Sequence, residues 1–336
     1  MGSDAGRTFF LISESLSRMN PRVPDMREQR IRAGVDLGGT KIEILVLKGE
    51  GREIARRRIP TPTDGYQAIL EAVQRLVMEV EQELDLDPLP LGVASPGSVS
   101  TTSGLLKNSN TVCLNGRALQ ADLERRLARP VRVANDANCF ALSEASDGMA
   151  KGESVVFGVI LGTGVGGGLV IEGRILSGAN GIAGEWGHNP LPWARPEELP
   201  GPECYCGKRG CIETFLSGPG LASDHERVTG MRLGPEEIVR GAACGDPDCE
   251  ATLLRYEVRL ARGLAHVINL LDPDTIVLGG GLSNVDRLYR RVPALWSRWI
   301  FSDQIVTKLV PPRHGDSSGV RGAARLWDPP TSRPLP

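Results

Sequence analysis

The sequence predicts an α/β protein of two domains with a ligand cleft between them. Two glycine-turn hairpins, DLGGTK at residues 36–41 and LGTGVGGG at residues 161–168, each open a segment in which strand and helix patterns alternate. The chain has 336 residues, of which 40% are hydrophobic, and this is enough for two cores of ordinary size. Duplicated units of this kind face each other across a cleft, where ligands bind.

Composition and charge exclude several classes of function. The formal net charge is −2 and the Lys and Arg residues are dispersed, so no basic surface for nucleic acid or for a membrane is predicted. The first residues lack a basic start followed by an apolar stretch, which predicts a cytoplasmic protein without a cleaved leader. The uncharged run at residues 155–171 contains six glycines, which favours two buried strands over a membrane helix.

The first half of the chain contains a polar extension followed by an α/β unit. Residues 1–30 show no continuing hydrophobic period, and we expect a disordered or non-native extension. Alternating apolar residues predict antiparallel strands at IRAGVD, at KIEILVL and at residues 53–59. Apolar residues at helical spacing predict a helix over residues 65–84, and LPLGVA is typical of a short buried strand.

The second half repeats this pattern. VRVAN at residues 131–135 predicts a strand, residues 137–149 predict a helix, and the glycine-rich run described above predicts a hairpin. The remaining sequence predicts a long helix over residues 248–271, a strand that enters a glycine turn at residues 279–281, and a helix over residues 284–300.

Three glycine turns have the character of nucleotide-binding segments. In DLGGTK the two glycines allow backbone amides to approach an anion, and Thr40 and Lys41 add a hydroxyl and a cation. Such a turn alone is also typical of an ordinary tight hairpin. Two further turns, at residues 162–164 and 279–281, each follow an apolar strand. Two hairpins that hold phosphates from opposite domains, with a third turn under the adenosine, correspond to the actin-like ATPase (ribonuclease H-like) fold, which we predict by this analogy.

Asp136, in ANDAN, is the candidate catalytic residue. It comes directly after a predicted strand, where the side chains of an α/β sheet meet the ligand crevice. A carboxylate at this position can take the proton of a substrate hydroxyl that attacks a γ-phosphate. The same position suits the N-cap of the following helix, and the local sequence leaves both interpretations open.

Asn110, in KNSN, and Glu185, in GEWGH, are candidate ligands of a sugar. Sugar hydroxyls need both donors and acceptors, which amide and carboxylate side chains supply. Each residue is also typical of a turn or a helix cap, and the sequence does not decide between these roles.

Three cysteines within eight residues, in CYCGKRGC at 204–211, indicate a metal site. In a reducing compartment such cysteines are typical of metal ligands, and a bond between Cys204 and Cys206 would close a strained ring. His188, in GEWGHNPLPW, is available as the fourth ligand of a tetrahedral zinc ion with Cys204, Cys206 and Cys211. Four protein ligands leave no open position, so we predict a structural zinc, with free thiols as the alternative.

Taken together, these motifs resemble one family. DLGGTK, SPGSV, NSN, ANDAN, ILGTGVGGG, GEWGHNPLPW, CYCGKRGCIETF and VLGGGLSNVDRLY follow one another as in the ROK family of bacterial sugar kinases. The resemblance runs from about Ile31 to Trp327 and is closest to the fructokinase (mannokinase) branch. It implies an ATP-dependent hexose kinase that phosphorylates the 6-hydroxyl of D-fructose.

The resemblance also assigns roles to individual residues. Asp136 becomes the general base, and His188, Cys204, Cys206 and Cys211 become the zinc ligands. The implied sugar-binding residues are Gly97, Asn110, Asp136, Glu185, His188 and Glu213. The residues implied to bind ATP are Asp36, Gly38, Gly39, Thr40, Lys41, Gly162, Thr163, Gly164, Gly280 and Gly281, with Asp36 placed to position Mg²⁺.

A domain division and an assembly follow from the same resemblance. Residues 31–133 with 317–329 would form a small α/β domain, and residues 134–316 a large one that carries the zinc-bound loop 188–211. The implied partners are a small sugar and ATP, and the implied assembly is a homodimer.

Alternative functions within this family stay open. The sugar could instead be mannose, glucose, N-acetylglucosamine or N-acetylmannosamine, because small changes in a pocket shift such preferences. Some ROK proteins are sugar-responsive transcriptional regulators with a winged helix-turn-helix ahead of the same core. About thirty residues precede DLGGTK, too few for that module, so we expect a kinase. A sugar-binding protein without activity is the third possibility.

Overall fold

Two five-stranded sheets with the same strand order form the framework of the protein. The structure, a computed structural model, describes residues 30–329, so residues 1–29 of the predicted extension at residues 1–30 lie outside the described residues. The strands are β1 (Ile31–Leu37), β2 (Lys41–Lys48), β3 (Arg52–Pro60), β4 (Leu91–Ser95), β5 (Ser98–Val99), β6 (Leu106–Lys107), β7 (Val131–Asn135), β8 (Val155–Leu161), β9 (Val165–Ile171), β10 (Arg174–Ile175), β11 (Thr275–Gly279) and β12 (Lys308–Val310). The first sheet has the order β3-β2-β1-β4-β7 and the second β10-β9-β8-β11-β12. The duplication that the two glycine hairpins predict is therefore present in the sheets.

Helices cover the faces of both sheets. They are α1 (Tyr66–Glu83), α2 (Leu119–Leu127), α3 (Asp136–Ser146), α4 (Glu213–Leu216), α5 (Gly218–Thr229), α6 (Pro235–Ala243), α7 (Pro247–Leu271), α8 (Leu288–Trp296) and α9 (Ser318–Arg325). The predicted helices at residues 65–84, 137–149 and 248–271 are confirmed to within a few residues as α1, α3 and α7. Among the described residues, no helix has the length and apolar character that a membrane crossing requires.

The last predicted helix, over residues 284–300, is shorter in the structure. Residues Gly281–Asn284 form a 3₁₀ turn instead, and α8 begins only at Leu288. The Ser283 hydroxyl donates a hydrogen bond to the Gly280 carbonyl at 2.7 Å, which is a local alternative to helical pairing. The apolar spacing of the sequence gives no sign of this competition between the Ser283 hydrogen bond and helical pairing.

Alternating side chains along β2 build two layers on the first sheet. Ile44 and Val46 pack in one cluster with the residues of α1, whereas Leu45 and Leu47 pack against α9 on the opposite face. The predicted antiparallel meander of β1, β2 and β3 is confirmed. The first sheet is therefore buried on both sides.

The second sheet has the same layered arrangement. The glycine-rich run at residues 155–171 forms the antiparallel hairpin of β8 and β9, as predicted. Val156 packs in a cluster with α3, and the next residue, Phe157, packs in the large cluster that contains α7. Period-two alternation again places a helix on each face.

Helices α3 and α9 cross in close contact between the two sheets. A Cβ atom added at Gly322 of α9 would stand 1.7 Å from the carbonyl oxygen of Cys139 in α3. A Cβ atom added at Gly92 of β4 would stand 1.8 Å from the carbonyl oxygen of Ala323. Only glycine lets the backbones approach this closely. The crossing brings α3, which begins at Asp136, against the helix that covers the first sheet.

Asp147 ties the far end of α3 to α9. Its Oδ2 accepts hydrogen bonds from Arg321 at 2.8 Å and from Arg325 at 2.7 Å, and Arg321 also donates to the carbonyl of Gly51 at 2.7 Å. Burial alone would raise the pKa of Asp147, but the charges and hydrogen bonds of the two arginines outweigh burial and lower that pKa. The helix that carries Asp136 is thus held at both ends.

Candidate active site and metal centre

Asp36 and Asp136 lie at the same edge of the first sheet. Strand β1 runs parallel to β4, with Asp36 opposite Ala94, and β4 runs parallel to β7, with Ser95 opposite Asn135. Side chains at the carboxyl ends of parallel strands meet at one edge of a sheet. After burial, the negative charge of Asp136 is the next contribution that raises the pKa of Asp36, as expected for two carboxyl groups at one edge of a sheet.

Asp36 has an unusual titration for a carboxyl group. Burial raises the pKa of Asp36 to about 7, the charges of Asp136 and Glu43 add to the rise, and Lys41 opposes it. A divalent cation at this position would favour the charged form of Asp36. Carboxylate oxygens are the ligands that Mg²⁺ prefers, so the donor chemistry of Asp36 fits the predicted role.

Asp136 is the first residue of α3, but it is not the helix cap. The side chain of Asn135 takes that role by accepting a hydrogen bond from the Ala137 amide at 2.9 Å. Asp136 also accepts from this amide at 2.8 Å through Oδ1. The two side chains share one amide, so Asn135 alone can complete the cap and the helix does not require a carboxylate at residue 136. The general-base interpretation of Asp136 stays a prediction.

The surroundings of Asp136 make its carboxylate more basic. The side chain is open to solvent yet has protein on most sides, and the partial loss of water raises the pKa of Asp136. The hydrogen bond from Ala137 opposes this effect, and the negative charge of Glu185 adds to it. A general base works best when its pKa approaches the working pH, so the direction of the shift suits the role.

Each of the two predicted phosphate turns is closed by a backbone hydrogen bond of its first glycine, over three residues in the first turn and over two in the second. The Gly38 amide donates to the Lys41 carbonyl at 2.9 Å, and the Gly162 amide donates to the Gly164 carbonyl at 3.0 Å. The exposed residues at the two tips are Gly39, Thr40 and Thr163. Each sheet thus presents a tight turn with a hydroxyl and open backbone to a ligand.

The third glycine turn lies against the base of the second phosphate turn. Gly280 has a φ angle of +79°, and a Cβ atom added there would stand 2.5 Å from the carbonyl oxygen of Leu161 at the end of β8. Gly281, by contrast, would place a Cβ atom in open space. Strand β11 lies beside β8, with Gly279 opposite Ile160, so this turn and residues 162–164 are neighbours. The sequence predicted both turns for one nucleotide.

Glu213 connects the cysteine loop with the second phosphate turn. Its Oε2 accepts a hydrogen bond from the Val165 amide at 2.9 Å, and a Cβ atom added at Gly164 would stand 2.6 Å from the same oxygen. Partial loss of water, followed by the charges of Glu213 and Glu185, raises the pKa of Tyr205 to about 12. Glu213, which begins α4 just after the cysteine loop, is thus held against the second phosphate turn.

Two further predicted residues lie near the first phosphate turn and Asp136. The Gly97 carbonyl accepts a hydrogen bond from Asn135 Nδ2 at 3.0 Å, and the φ angle of Gly97 is +82°. Asn110 is exposed, and the hydroxyl of the next residue, Thr111, would stand 3.4 Å from a Cβ atom added at Gly39. The structure thus brings both residues to the edge of the first sheet that carries Asp36 and Asp136.

His188 and three cysteines converge on one point. The possible ligand atoms of His188, Cys204, Cys206 and Cys211 all lie within 4.8 Å of one another. His188 Nδ1 lies 3.6 Å from Cys204 Sγ, and Cys206 Sγ lies 3.7 Å from Cys211 Sγ. Tetrahedral zinc, with Zn–S near 2.3 Å and Zn–N near 2.0 Å, separates its ligand atoms by about 3.5 to 3.8 Å. The four donors therefore fit the predicted zinc site.

The thiols of this cluster differ in acidity. A hydrogen bond from the Lys208 amide lowers the pKa of Cys206 to about 7, whereas burial raises the pKa of Cys211 to about 12. The thiolate is the form that binds metal, and a bound cation removes the remaining protons. Cys206 is therefore the residue at which a metal ion would find a thiolate at neutral pH.

Glu198 anchors the loop that carries the cluster, a role that the sequence pattern did not reveal. Its Oε1 accepts hydrogen bonds from Arg259 at 2.9 Å and Arg262 at 2.7 Å, both on α7, and all three side chains are at most 5% exposed. Arg262 also donates to the carbonyl of Trp193 at 2.5 Å. Burial opposes ionisation, yet the arginines and the Arg195 amide outweigh it and lower the pKa of Glu198 to about 2.

Replacing Glu198 with alanine is expected to destabilise the protein by roughly 3–5 kcal/mol, because the buried Arg262 loses its carboxylate and the buried Arg259 keeps only Asp224. The measurement is the free energy of unfolding in urea. Glu197→Ala, at an exposed neighbouring position, is the matched control and is expected to change this free energy by less than about 0.5 kcal/mol. Equal effects of the two variants would contradict the anchoring role.

The same ion pair predicts how stability depends on pH. Because folding lowers the pKa of Glu198, its stabilisation is complete above the pKa of the unfolded chain and disappears as pH falls towards about 2. The difference in stability between wild type and Glu198→Ala should therefore shrink below about pH 4.

Comparison with known proteins identifies the relatives of this chain. Residues 32–329 match the family model described as ROK family. The chain is 39% identical to an N-acetyl-D-glucosamine kinase of Photobacterium profundum over 297 residues, which are 87% of this chain and 98% of that protein.

Solved structures give the same result for the fold. A ROK hexokinase from Thermus thermophilus has a TM-score of 0.79 at 30% identity, covering 88% of this chain and 97% of the other. A ROK family glucokinase from Streptomyces griseus, solved with glucose and AMPPNP, has a TM-score of 0.71 at 27% identity, covering 88% and 99%. The predicted actin-like α/β fold is confirmed. The chain belongs to the ROK family.

Proposed function

We propose that the protein is an ATP-dependent sugar kinase that transfers the γ-phosphoryl group of ATP to the 6-hydroxyl of a hexose. The observation that carries this proposal is the carboxylate of Asp136, which is open to solvent at the edge of the first sheet that also carries Asp36, while Asn135 supplies a second acceptor for the cap of α3. The names of the related kinases support the same reaction class.

Asp136 would act as the general base of the transfer. Its carboxylate accepts the proton of the 6-hydroxyl as the oxygen of that group attacks the γ-phosphorus, and the product retains the oxygen. The raised pKa of Asp136 increases its basicity relative to an ordinary aspartate. The leaving group is ADP, whose charge must be stabilised where the phosphates are held.

The two glycine turns and Lys41 would hold the phosphates. The Gly38 and Gly162 amides already donate within their turns, so the exposed residues Gly39, Thr40 and Thr163 would supply the amides that meet an anion. Bound Mg²⁺ would neutralise phosphate charge, and Asp36 is the residue that would hold it. Closure of residues 31–133 with 317–329 over residues 134–316 would exclude water, so that ATP is not hydrolysed.

The zinc site would be structural. With Nδ1 of His188 facing the thiols, a bound metal would fix the loop that carries His188, and Glu185 and Glu213 flank the cluster along the chain. These three residues, with Asn110 and the backbone of Gly97, would bind the hydroxyl groups of the sugar.

N-acetyl-D-glucosamine is the leading candidate sugar. The support is the 39% identity to a kinase named for that sugar, over nearly the full length of both proteins. None of the three compared proteins is named a fructokinase, so D-fructose, which the sequence motifs implied, stays a prediction and is the second candidate.

The test is release of ADP from Mg-ATP with N-acetylglucosamine, fructose, mannose, glucose and N-acetylmannosamine, compared by kcat/KM. We expect N-acetylglucosamine to lead and ADP release without sugar to be negligible. Fructose in the lead would keep the kinase proposal and restore the branch that the motifs implied. Sugar binding without ADP release would contradict the kinase proposal and support a sensor.

A further inference from the structure

We propose that the Tyr205 hydroxyl competes with the sugar for Nε2 of His188 and thereby acts as a removable cap on the sugar subsite. This inference rests on the proposed function, because it takes His188 as a ligand of the sugar. It adds a residue that lowers the affinity for the sugar and that neither the motifs nor the comparisons assign.

The two ring nitrogens of His188 have separate partners. Nδ1 faces Cys204 Sγ at 3.6 Å, inside the cluster of four donors. Nε2, on the opposite side of the ring, lies 2.9 Å from the hydroxyl of Tyr205. If Nδ1 binds a metal, Nε2 carries the proton and is the nitrogen that can donate to a sugar oxygen. Tyr205 therefore occupies the hydrogen-bonding position that the substrate needs.

The backbone of Tyr205 is fixed, whereas its ring is held weakly. Tyr205 stands between two proposed zinc ligands, and a tight turn with a 2.9 Å bond from the Gly207 amide to the Cys204 carbonyl surrounds it. The side chain is nevertheless 82% exposed, and its ring contact with His188 is edge-on at a centroid distance of 5.1 Å. Rotation of the side chain breaks one hydrogen bond and exposes little apolar surface.

The other proposed sugar ligands lie close to the cluster along the chain. Glu185 immediately precedes the 3₁₀ turn that carries His188, and Glu213 begins α4 two residues after Cys211. A sugar oxygen that accepts from Nε2 of His188 would need the position that the Tyr205 hydroxyl occupies at 2.9 Å. Tyr205 has to leave His188 when the sugar arrives.

The tautomer of His188 is the same whether Nε2 donates to the Tyr205 hydroxyl or to a sugar hydroxyl. Both the phenol and a sugar hydroxyl can accept a hydrogen bond from Nε2–H, so the lone pair of Nδ1 stays on the side of the thiols in either state. Tyr205 would thus keep His188 oriented when no sugar is bound. The cost is a weaker apparent affinity for the sugar.

Tyr205→Phe tests this competition because it removes the hydroxyl and retains the ring. We expect the Kd of N-acetylglucosamine, measured by calorimetry without nucleotide, to fall about two- to fivefold, which is the contribution of one exposed hydrogen bond. Fructose is measured in parallel so that the result does not depend on the choice of sugar.

Tyr66→Phe is the matched control. It also removes one tyrosine hydroxyl, whose partner is Asp122 at 2.7 Å in the helices of the first sheet. This variant is expected to leave the Kd of the sugar unchanged. The zinc content of both variants is compared with wild type, so that loss of the metal cluster is recognised separately.

The outcomes separate this inference from the kinase proposal. A lower Kd in Tyr205→Phe, with unchanged zinc content, supports the cap. An unchanged Kd overturns it, and a higher Kd overturns it in favour of a direct contact between the hydroxyl and the sugar. Sugar binding without phosphorylation would contradict the kinase proposal. The comparison of the sugar Kd between wild type and Tyr205→Phe would still decide the role of Tyr205. If no tested sugar binds, both proposals fail.

Discussion

Asp136→Asn is expected to lower kcat about 10²- to 10⁴-fold while the affinities for sugar and ATP change little. The substitution keeps the size and one acceptor oxygen of the side chain but removes the base that takes the proton of the 6-hydroxyl. The helix should stay intact because Asn135, rather than Asp136, caps it. The measurements are steady-state kcat and the calorimetric Kd of the sugar.

The matched control for this prediction is Asp87→Asn. Asp87 is exposed and precedes the amino end of β4, the edge of the first sheet opposite to Asp136. It carries the same charge and is expected to leave kcat unchanged. Near-normal turnover in Asp136→Asn would remove the assignment of the general base.

The raised pKa of Asp136 adds a dependence on pH. A general base must be ionised, so kcat falls as pH drops through its pKa. Because partial loss of water and the charge of Glu185 raise that pKa, the fall should begin at a higher pH than for an ordinary aspartate. Bound Mg²⁺ and ATP will shift the midpoint, but the direction is testable by comparison with Glu185→Gln, which should move the fall to lower pH.

Loss of the metal is the second large expected effect. Cys206→Ser is expected to reduce bound zinc below one equivalent, to lower the free energy of unfolding by at least about 3 kcal/mol, and to weaken sugar binding. In small zinc domains the binding of a structural ion contributes about 10–16 kcal/mol to the free energy of folding. The loss of about 3 kcal/mol expected for Cys206→Ser is a small part of such a contribution. Sugar affinity falls because the loop that carries His188 is no longer fixed.

Zinc analysis, urea unfolding and calorimetry measure these three effects. Cys244→Ser is the control, because Cys244 is an exposed free thiol outside the cluster. It is expected to behave as wild type in all three measurements. Fully active wild-type protein with less than one equivalent of zinc would contradict the structural role of the metal.

The sequence predicted those parts of the fold that depend on local patterns. The apolar pattern of KIEILVL predicts a strand, and β2 forms there with Ile44 and Leu45 on opposite faces. Glycines in the run at residues 155–171 predict a turn, and β8 and β9 form that hairpin. The donors at residues 204–211 are also close in sequence, so their convergence follows from a short loop, with only His188 more distant.

Two kinds of feature could not be predicted from the sequence. One depends on contacts between residues far apart in the chain, and the other on a choice between adjacent residues that suit the same role. Asn135 and Asp136 are both good helix caps, and the hydrogen bond from Asn135 to Gly97 is part of what distinguishes them. Glu198 lies in a loop rich in Pro and Glu, and its partners on α7 come more than sixty residues later. No periodic pattern in the local sequence indicates an ion pair between residues so far apart in the chain.

The central claim is phosphoryl transfer to a sugar, and ³¹P NMR of the reaction mixture tests it most directly. Wild-type protein is incubated with Mg-ATP and N-acetylglucosamine, and Asp136→Asn serves as the parallel sample. We predict a new phosphomonoester resonance, coupled to the protons on carbon 6 of the sugar, in amounts equal to ADP and only with wild type. Consumption of ATP that yields inorganic phosphate, or no consumption with any tested hexose, would contradict the account.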